Sequence, residues 1–324
     1  MADSADNGSG RGIDHAITRE SVYGLGVENT HSGVLSFLRT RYSKDLEGID
    51  VAVTGIPYDL AVTNRPGTRF GPRAVREAST ELAWAPLWPW GFDPLKRLAV
   101  VDYGDCDIDH GNPQDIPGRI ESHIDAILEA GASTIAIGGD HFISLPVMRA
   151  HAKRRGPLAM VHFDAHSDTW SEETSRIDHG TMFYHGVKEG IIDPEHSVQV
   201  GIRTHNDDPM GIRWLDANWV HENGPRRAIE EIKKTVGGRP AYLTFDIDCL
   251  DPAYAPGTGT PVVGGLTSHQ ARTILGGLDG IDFGGMDLVE IAPPYDAGGI
   301  TALAGATLIM DYLQMRGKDL PDKG

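Results

Sequence analysis

The chain has 324 residues, of which 40% are hydrophobic and 23% charged, and its formal net charge is −17. That is enough apolar material for a sizeable core, in one large α/β domain or two average ones. The acidic balance argues against a nucleic-acid binder, which needs a basic stripe to neutralise phosphates, and it suits a small cationic partner drawn to an acidic cleft. Two cysteines, Cys106 and Cys249, rule out a disulfide framework or a thiolate metal cluster and read as small core hydrophobes.

Taken in chain order, residues 1–14 are rich in Gly, Ser and Asp and carry no apolar run of the signal-peptide kind. No segment reaches the roughly 18 uncharged apolar residues of a membrane span, so no membrane partner and a cytoplasmic location are expected. Residues 1–46 read as a flexible N-terminal head and leader, and 47–318 as a single domain with no linker or repeat. Short apolar runs at 51–54, 98–101, 134–137, 158–163, 197–200, 241–245 and 286–289 predict strands covered on both faces. Helical patterns lie between them at 71–78, 116–130, 145–154, 226–235, 268–277 and 300–315. This alternation predicts an α/β fold, a mostly parallel sheet with helices on both sides, whose sites lie at the carboxyl ends of the strands.

Three strand ends carry chemistry. Gly138-Gly139-Asp140-His141 follows one strand, Asp164, His166 and Asp168 end another, and Asp246 and Asp248 end a third. In extended chain, residues two apart point to the same side, so each set can converge on one point in front of the sheet. Four carboxylates brought together repel one another unless protons or cations sit among them. Two imidazoles with four carboxylates suit Mn²⁺, or Fe²⁺, Co²⁺, Ni²⁺ or Zn²⁺ in its place, and disfavour a Ca²⁺ or Mg²⁺ cage. Six ligands exceed the needs of one tetrahedral ion and point to two metals about 3.5 Å apart, which would generate hydroxide at neutral pH. His162 is read as structural. Asp105, Asp107 and Asp109 mimic a calcium loop, but His110 replaces the glycine such a loop needs and Ile116 stands where its closing Glu belongs, so a polar turn is expected.

Gly138 to His141, Phe163-Asp164-Ala165-His166-Ser167-Asp168 and Thr244-Phe245-Asp246-Ile247-Asp248-Cys249-Leu250-Asp251-Pro252 resemble the three signatures of the ureohydrolase (arginase/agmatinase) family. The resemblance runs from about Gly55 to Asp311. It implies a three-layer α/β/α sandwich with an eight-stranded parallel sheet, assembled as a homotrimer or homohexamer. It further implies two Mn²⁺ per subunit, held by His141, Asp164, His166, Asp168, Asp246 and Asp248, with 47–318 as the catalytic domain. By the same resemblance a metal-bridging hydroxide attacks the guanidinium, Asp168 handles its proton, His179 in the Asp178-His179-Gly180-Thr181 loop relays protons, and Glu290 pairs with the guanidinium, a bidentate match for a carboxylate. Arg65, Arg69 and Arg73 are expected to brace the loop or a subunit contact. Residues 178–183, 255–267 and 82–84 with Trp90 are similar to the agmatine-hydrolysing members, which implies hydrolysis of agmatine to putrescine and urea. The alternatives are a guanidinobutyrase, although guanidinobutyrases tend to be acidic where Val262 stands, another guanidino-compound hydrolase, and, outside the family, a single-zinc deacylase.

Overall fold

The computed structural model describes residues 13–171 and 176–323; residues 1–12 of the expected flexible head lie outside them. Nine strands form one all-parallel sheet. They are β1 (Arg41–Tyr42), β2 (Val51–Ile56), β3 (Val100–Asp105), β4 (Ser133–Gly138), β5 (Ala159–Phe163), β6 (Val198–Val200), β7 (Arg213–Leu215), β8 (Ala241–Asp246) and β9 (Phe283–Val289), in the spatial order β1-β3-β2-β4-β9-β8-β5-β6-β7. Helices cover both faces: α1 (His15–Thr18), α2 (Gly71–Leu82), α3 (Ile116–Glu129), α4 (Ser144–Arg155), α5 (Met182–Lys188), α6 (Ala217–Val236), α7 (Ser268–Gly276) and α8 (Ile300–Gly317).

The strand pleat sorts the core. Ile135, Ile137, Leu243 and Phe245 point to the layer that holds α2, α6, α7 and α8. Their neighbours Ala136 and Tyr242 point to the opposite layer, with α3, α4 and α5. Both layers are apolar, and so the strands read as continuous hydrophobic runs rather than alternating ones. All seven predicted strands are present. The sheet has nine strands rather than eight, because the edge pieces β1 and β7 are two and three residues long and carry no apolar run for a sequence pattern to catch. Helix α6 begins nine residues earlier than expected: Asp216 caps it through Trp219 N, and it continues through a kink at Gly224 (φ 78°) and Pro225, which in sequence look like a helix start.

Residues of the leader are tied down. Phe37 N donates to Asp102 Oδ2 (2.8 Å) and Leu38 N to Ser79 Oγ (2.8 Å), with both side chains buried. Asp102 also receives Arg76 through Nε (2.7 Å) and Nη2 (3.0 Å). Arg76→Met would leave that carboxylate buried without its cation, so a loss of about 3–5 kcal/mol is expected, read as a lowered urea midpoint with unchanged slope.

The functional consequence lies in the middle of the sheet. β4, β9, β8 and β5 are adjacent, and their carboxyl ends deliver residues 139–141, 290, 246–248 and 164–168 side by side.

Candidate metal centre

The turn after β4 needs glycine: Gly139 has φ 42°, and a Cβ there would lie 2.5 Å from the carbonyl oxygens of Ile56 and Tyr58. Asp140 then caps the following turn through Phe142 N (3.1 Å) and takes Ala61 N on its other oxygen (2.9 Å), which swings His141 into the sheet's mouth. Asp168 (φ 52°) and Glu290 (φ 63°) both hold the left-handed backbone that non-glycine residues rarely adopt. Strain of that kind is characteristic of functional sites.

The side chains assemble into two half-sites that share one carboxylate. In the first, His141 Nδ1 lies 3.0 Å from Asp164 Oδ2, 2.9 Å from Asp168 Oδ2 and 3.3 Å from Asp246 Oδ2. In the second, His166 Nδ1 lies 3.2 Å from Asp164 Oδ1 and 3.1 Å from Asp248 Oδ2. Asp164 therefore turns one oxygen to each. All six residues expected as ligands are together.

The electrostatics of this cluster are those of a site built for cations. Burial raises Asp246 and Asp248 above the usual carboxylate range, and neighbouring carboxylates push them further. Burial and Asp164 push Asp168 up to about 7. Against the penalty of burial, the surrounding carboxylates lift His141 well above its ordinary value and His166 to about 12. Asp164 moves the other way, below its ordinary range, because His162, His141 and His166 together outweigh its burial. Without metal, only protons, on the two rings and on the raised carboxylates, can offset the crowding. Yet His141 Nδ1 is buried with no hydrogen-bond partner, and its Nε2 side is taken by Thr244 Oγ1 at 2.8 Å. An orphaned ring nitrogen facing three carboxylate oxygens is a ligand atom in waiting, and the donor set fits a pair of divalent ions.

A cleft of about 280 Å³ opens beside the cluster, lined among others by Asp168, Trp170, Asp246, His166, His179 and Thr63. Glu290 is buried next to His179, one of the lining residues. Its Oε1 receives His141 N (2.9 Å) and pairs with His179 Nδ1 (3.0 Å), while its Oε2 is buried and unpartnered. His179 Nε2 meets Thr63 N (3.0 Å) and Thr63 Oγ1 (2.8 Å). Although burial opposes the charged ring, Glu290 raises His179 to about 9. The backbone N–H of Thr63, however, needs a lone pair on Nε2. That N–H cannot rotate away as a side chain could, so the geometry holds the neutral form with the proton on Nδ1.

An arginase-family model matches residues 49–314. The chain belongs to the arginase family. It is 57% identical over 302 residues to an agmatinase of Chromobacterium violaceum, covering 93% of this chain and 94% of that one. Among solved structures, a hypothetical agmatinase from Burkholderia thailandensis superposes with a TM-score of 0.93 at 56% identity, over 94% of this chain and 98% of that one. Proclavaminate amidino hydrolase from Streptomyces clavuligerus follows at 36% identity and a TM-score of 0.85, over 90% and 99%. This chain is thus a hydrolase of the arginase family, with a buried His/Asp cluster that could hold metal.

Around the arginase-family cluster stands an outer ring of residues, of which sequence reasoning singled out only His162, as structural. His162 lies within ligand distance of the first half-site, but both its nitrogens are engaged. Nε2 pairs with Asp164 Oδ2 (2.7 Å) and Nδ1 accepts from Gln199 Nε2 (3.0 Å), so it orients Asp164. Thr244 and Asp287 support His141. The guanidinium of Arg203 holds the carbonyls of Asp248 (2.6 Å), Leu250 (3.3 Å) and Val262 (2.7 Å). The available signal was polarity inside apolar strands, as with Thr244, Asp287 and Gln199. Of Arg65, Arg69 and Arg73, Arg69 grips buried Asp59, Arg65 lies over the Tyr295 ring (5.3 Å), and Arg73 is exposed. Asp105 and Asp107 pair with Arg76 and Arg119, while Asp109 receives Gly111 N, a polar turn as expected. Cys106 and Cys249 are buried. Trp90 lies away from the cleft, donating to Asp311 (3.1 Å). Among the described residues, no helix is long and apolar enough to cross a membrane.

Proposed function

We propose that the chain is an agmatinase that hydrolyses the guanidinium of agmatine to urea and putrescine at a pair of Mn²⁺ ions. His141, Asp164, Asp168 and Asp246 would hold one ion, and His166, Asp164 and Asp248 the other. When bound, such a pair supplies hydroxide at neutral pH and stabilises developing negative charge. The observation that carries the reading is Glu290. One carboxylate oxygen is fixed by two donors, one of them the cleft-lining His179, and the other is left buried without a partner. A guanidinium, with its planar fork of N–H donors, is the group that satisfies such an oxygen.

Each residue of the chain then has a defined task. Glu290 Oε2 receives the guanidinium and fixes its plane against the cluster. His179 holds Glu290 through Nδ1–H, and with Thr63 it offers a path along which a proton can reach the leaving amine. Asp168 lines the cleft beside the first half-site and is placed to take the proton released there. Trp170 gives the cleft an apolar wall, and none of its described lining residues is Lys or Arg. Among those described residues a substrate carboxylate would find no lysine or arginine to pair with, which favours agmatine over arginine or guanidinobutyrate. The relatedness to agmatinases supports the same choice.

Steady-state assays with Mn²⁺ on agmatine, guanidinobutyrate, arginine and free guanidine test the proposal. The highest kcat/KM is expected on agmatine, with urea and putrescine released one to one. A higher kcat/KM on any rival overturns the substrate, and no urea from any of them overturns the activity.

A further inference from the structure

Asp287 is a carboxylate fully buried in the middle of β9, with no Lys or Arg partner among the described residues. Its donors are hydroxyls: Thr244 Oγ1 at 2.6 Å on Oδ1 and Tyr242 OH at 3.0 Å on Oδ2. Burial raises its carboxyl, held back by His141 and by the hydroxyls of Thr244, Ser144 and Tyr242. An unpaired buried carboxylate is expensive to keep, and its position explains what it does. Thr244 spends its only proton on Asp287, so toward His141 it can offer only a lone pair. His141 Nε2, 2.8 Å from that oxygen, must then carry the ring proton. Nδ1, facing the oxygens of Asp164, Asp168 and Asp246, is then the nitrogen an ion can take, and the ring it leaves is neutral with its proton on Nε2. His166 has no matching relay: no protein donor or acceptor meets its Nε2 among the described hydrogen bonds, and its side chain is partly exposed in the cleft wall.

We infer that Asp287, acting through Thr244, is a positioning residue that fixes the tautomer of His141 and thereby sets the affinity of one of the two metal ions. This rests on the reading of the cluster as a dinuclear site. Asn at 287 would reverse the relay. Its amide can donate to Thr244, whose proton then turns to His141 Nε2, so the ring's one proton sits on Nδ1 and an ion that displaces it no longer finds a ring kept neutral from the Nε2 side.

Calorimetric titration of metal-free protein with Mn²⁺ tests the inference on wild type, Asp287→Asn, Thr244→Val and Thr244→Ser. Wild type should take up two ions; failure to do so would remove the dinuclear reading itself. Asp287→Asn and Thr244→Val should bind one ion as wild type does and the other roughly 10–100-fold more weakly, the usual cost of losing an outer partner. Thr244→Ser keeps the hydroxyl and should restore both affinities. With saturating Mn²⁺, turnover of Asp287→Asn should recover toward wild type, which a merely misfolded variant would not do. If wild type binds two ions and Asp287→Asn and Thr244→Val bind them equally well, the inference is wrong. It is also wrong if Thr244→Ser is as impaired as Thr244→Val. Should Asp287→Asn fail to fold, the Thr244 pair decides alone.

Discussion

Asp164→Asn is expected to abolish turnover and to strip metal from both half-sites. Asp164 alone turns an oxygen to each histidine nitrogen, 3.0 Å from His141 Nδ1 and 3.2 Å from His166 Nδ1. An amide keeps one neutral acceptor and places an N–H₂ where the second oxygen was, pointing a donor into one half-site. The loss of affinity should exceed the roughly 100-fold that removal of an outer partner causes. The fold should survive, because the two apolar layers and the parallel ladders on either side of β5 do not pass through this carboxylate. Elemental analysis, far-ultraviolet circular dichroism and melting curves with and without Mn²⁺ read these effects separately. Wild type should melt higher with Mn²⁺, since an ion that binds only the folded chain stabilises it, and the variant should show no such rise. Two ions per chain or wild-type turnover in the variant would refute the assignment. Acid should mimic the substitution. The carboxylates raise the proton affinity of both His141 and His166, so as pH falls protons compete for Nδ1 and bound metal is lost.

How much of this was legible in the sequence follows from the range of the forces involved. Strands β2, β3, β4, β5, β6, β8 and β9 are apolar because both faces are covered, so their composition announces them. The ligand pairs were legible for a related reason: Asp246 and Asp248, or Asp164, His166 and Asp168, sit two apart at a strand end, and period two is a local property. What escaped depends on contacts between distant segments. β1 exists because Arg41 pairs with Val101, and β7 because Arg213 pairs with Val198; neither has an apolar run of its own. Thr63 reaches His179 across 116 positions, and Asp287 reaches Thr244 across 43. A threonine in a loop carries no local mark of its partner, and an aspartate in an apolar strand signals a polar partner without saying which. Strand order was equally hidden. The adjacency of β4, β9, β8 and β5, which brings Glu290 beside His141, is fixed only when the whole sheet is assembled.

Glu290→Gln should lower kcat/KM on agmatine by about 10²–10³-fold, the typical effect of removing one preorganised electrostatic group, and leave both metal ions in place. The substitution is nearly isosteric and keeps the strained left-handed backbone at φ 63° as it is. The amide oxygen can still accept from His141 N and His179 Nδ1, so the amide nitrogen takes the place of Oε2. Its N–H groups would then meet the N–H groups of a guanidinium, turning an attraction into a clash of donors and removing a charge opposite a cation. Neither half-site uses Glu290 as a near neighbour of its histidine nitrogen, so metal stoichiometry should not change. Putrescine separates this from a general disturbance of the cleft. It carries an amine end but no guanidinium, and should inhibit variant and wild type alike. If the variant turns agmatine over at the wild-type rate, the guanidinium is not held by Glu290. If putrescine inhibition weakens together with turnover, Glu290 shapes the cleft as a whole rather than recognising the reacting group.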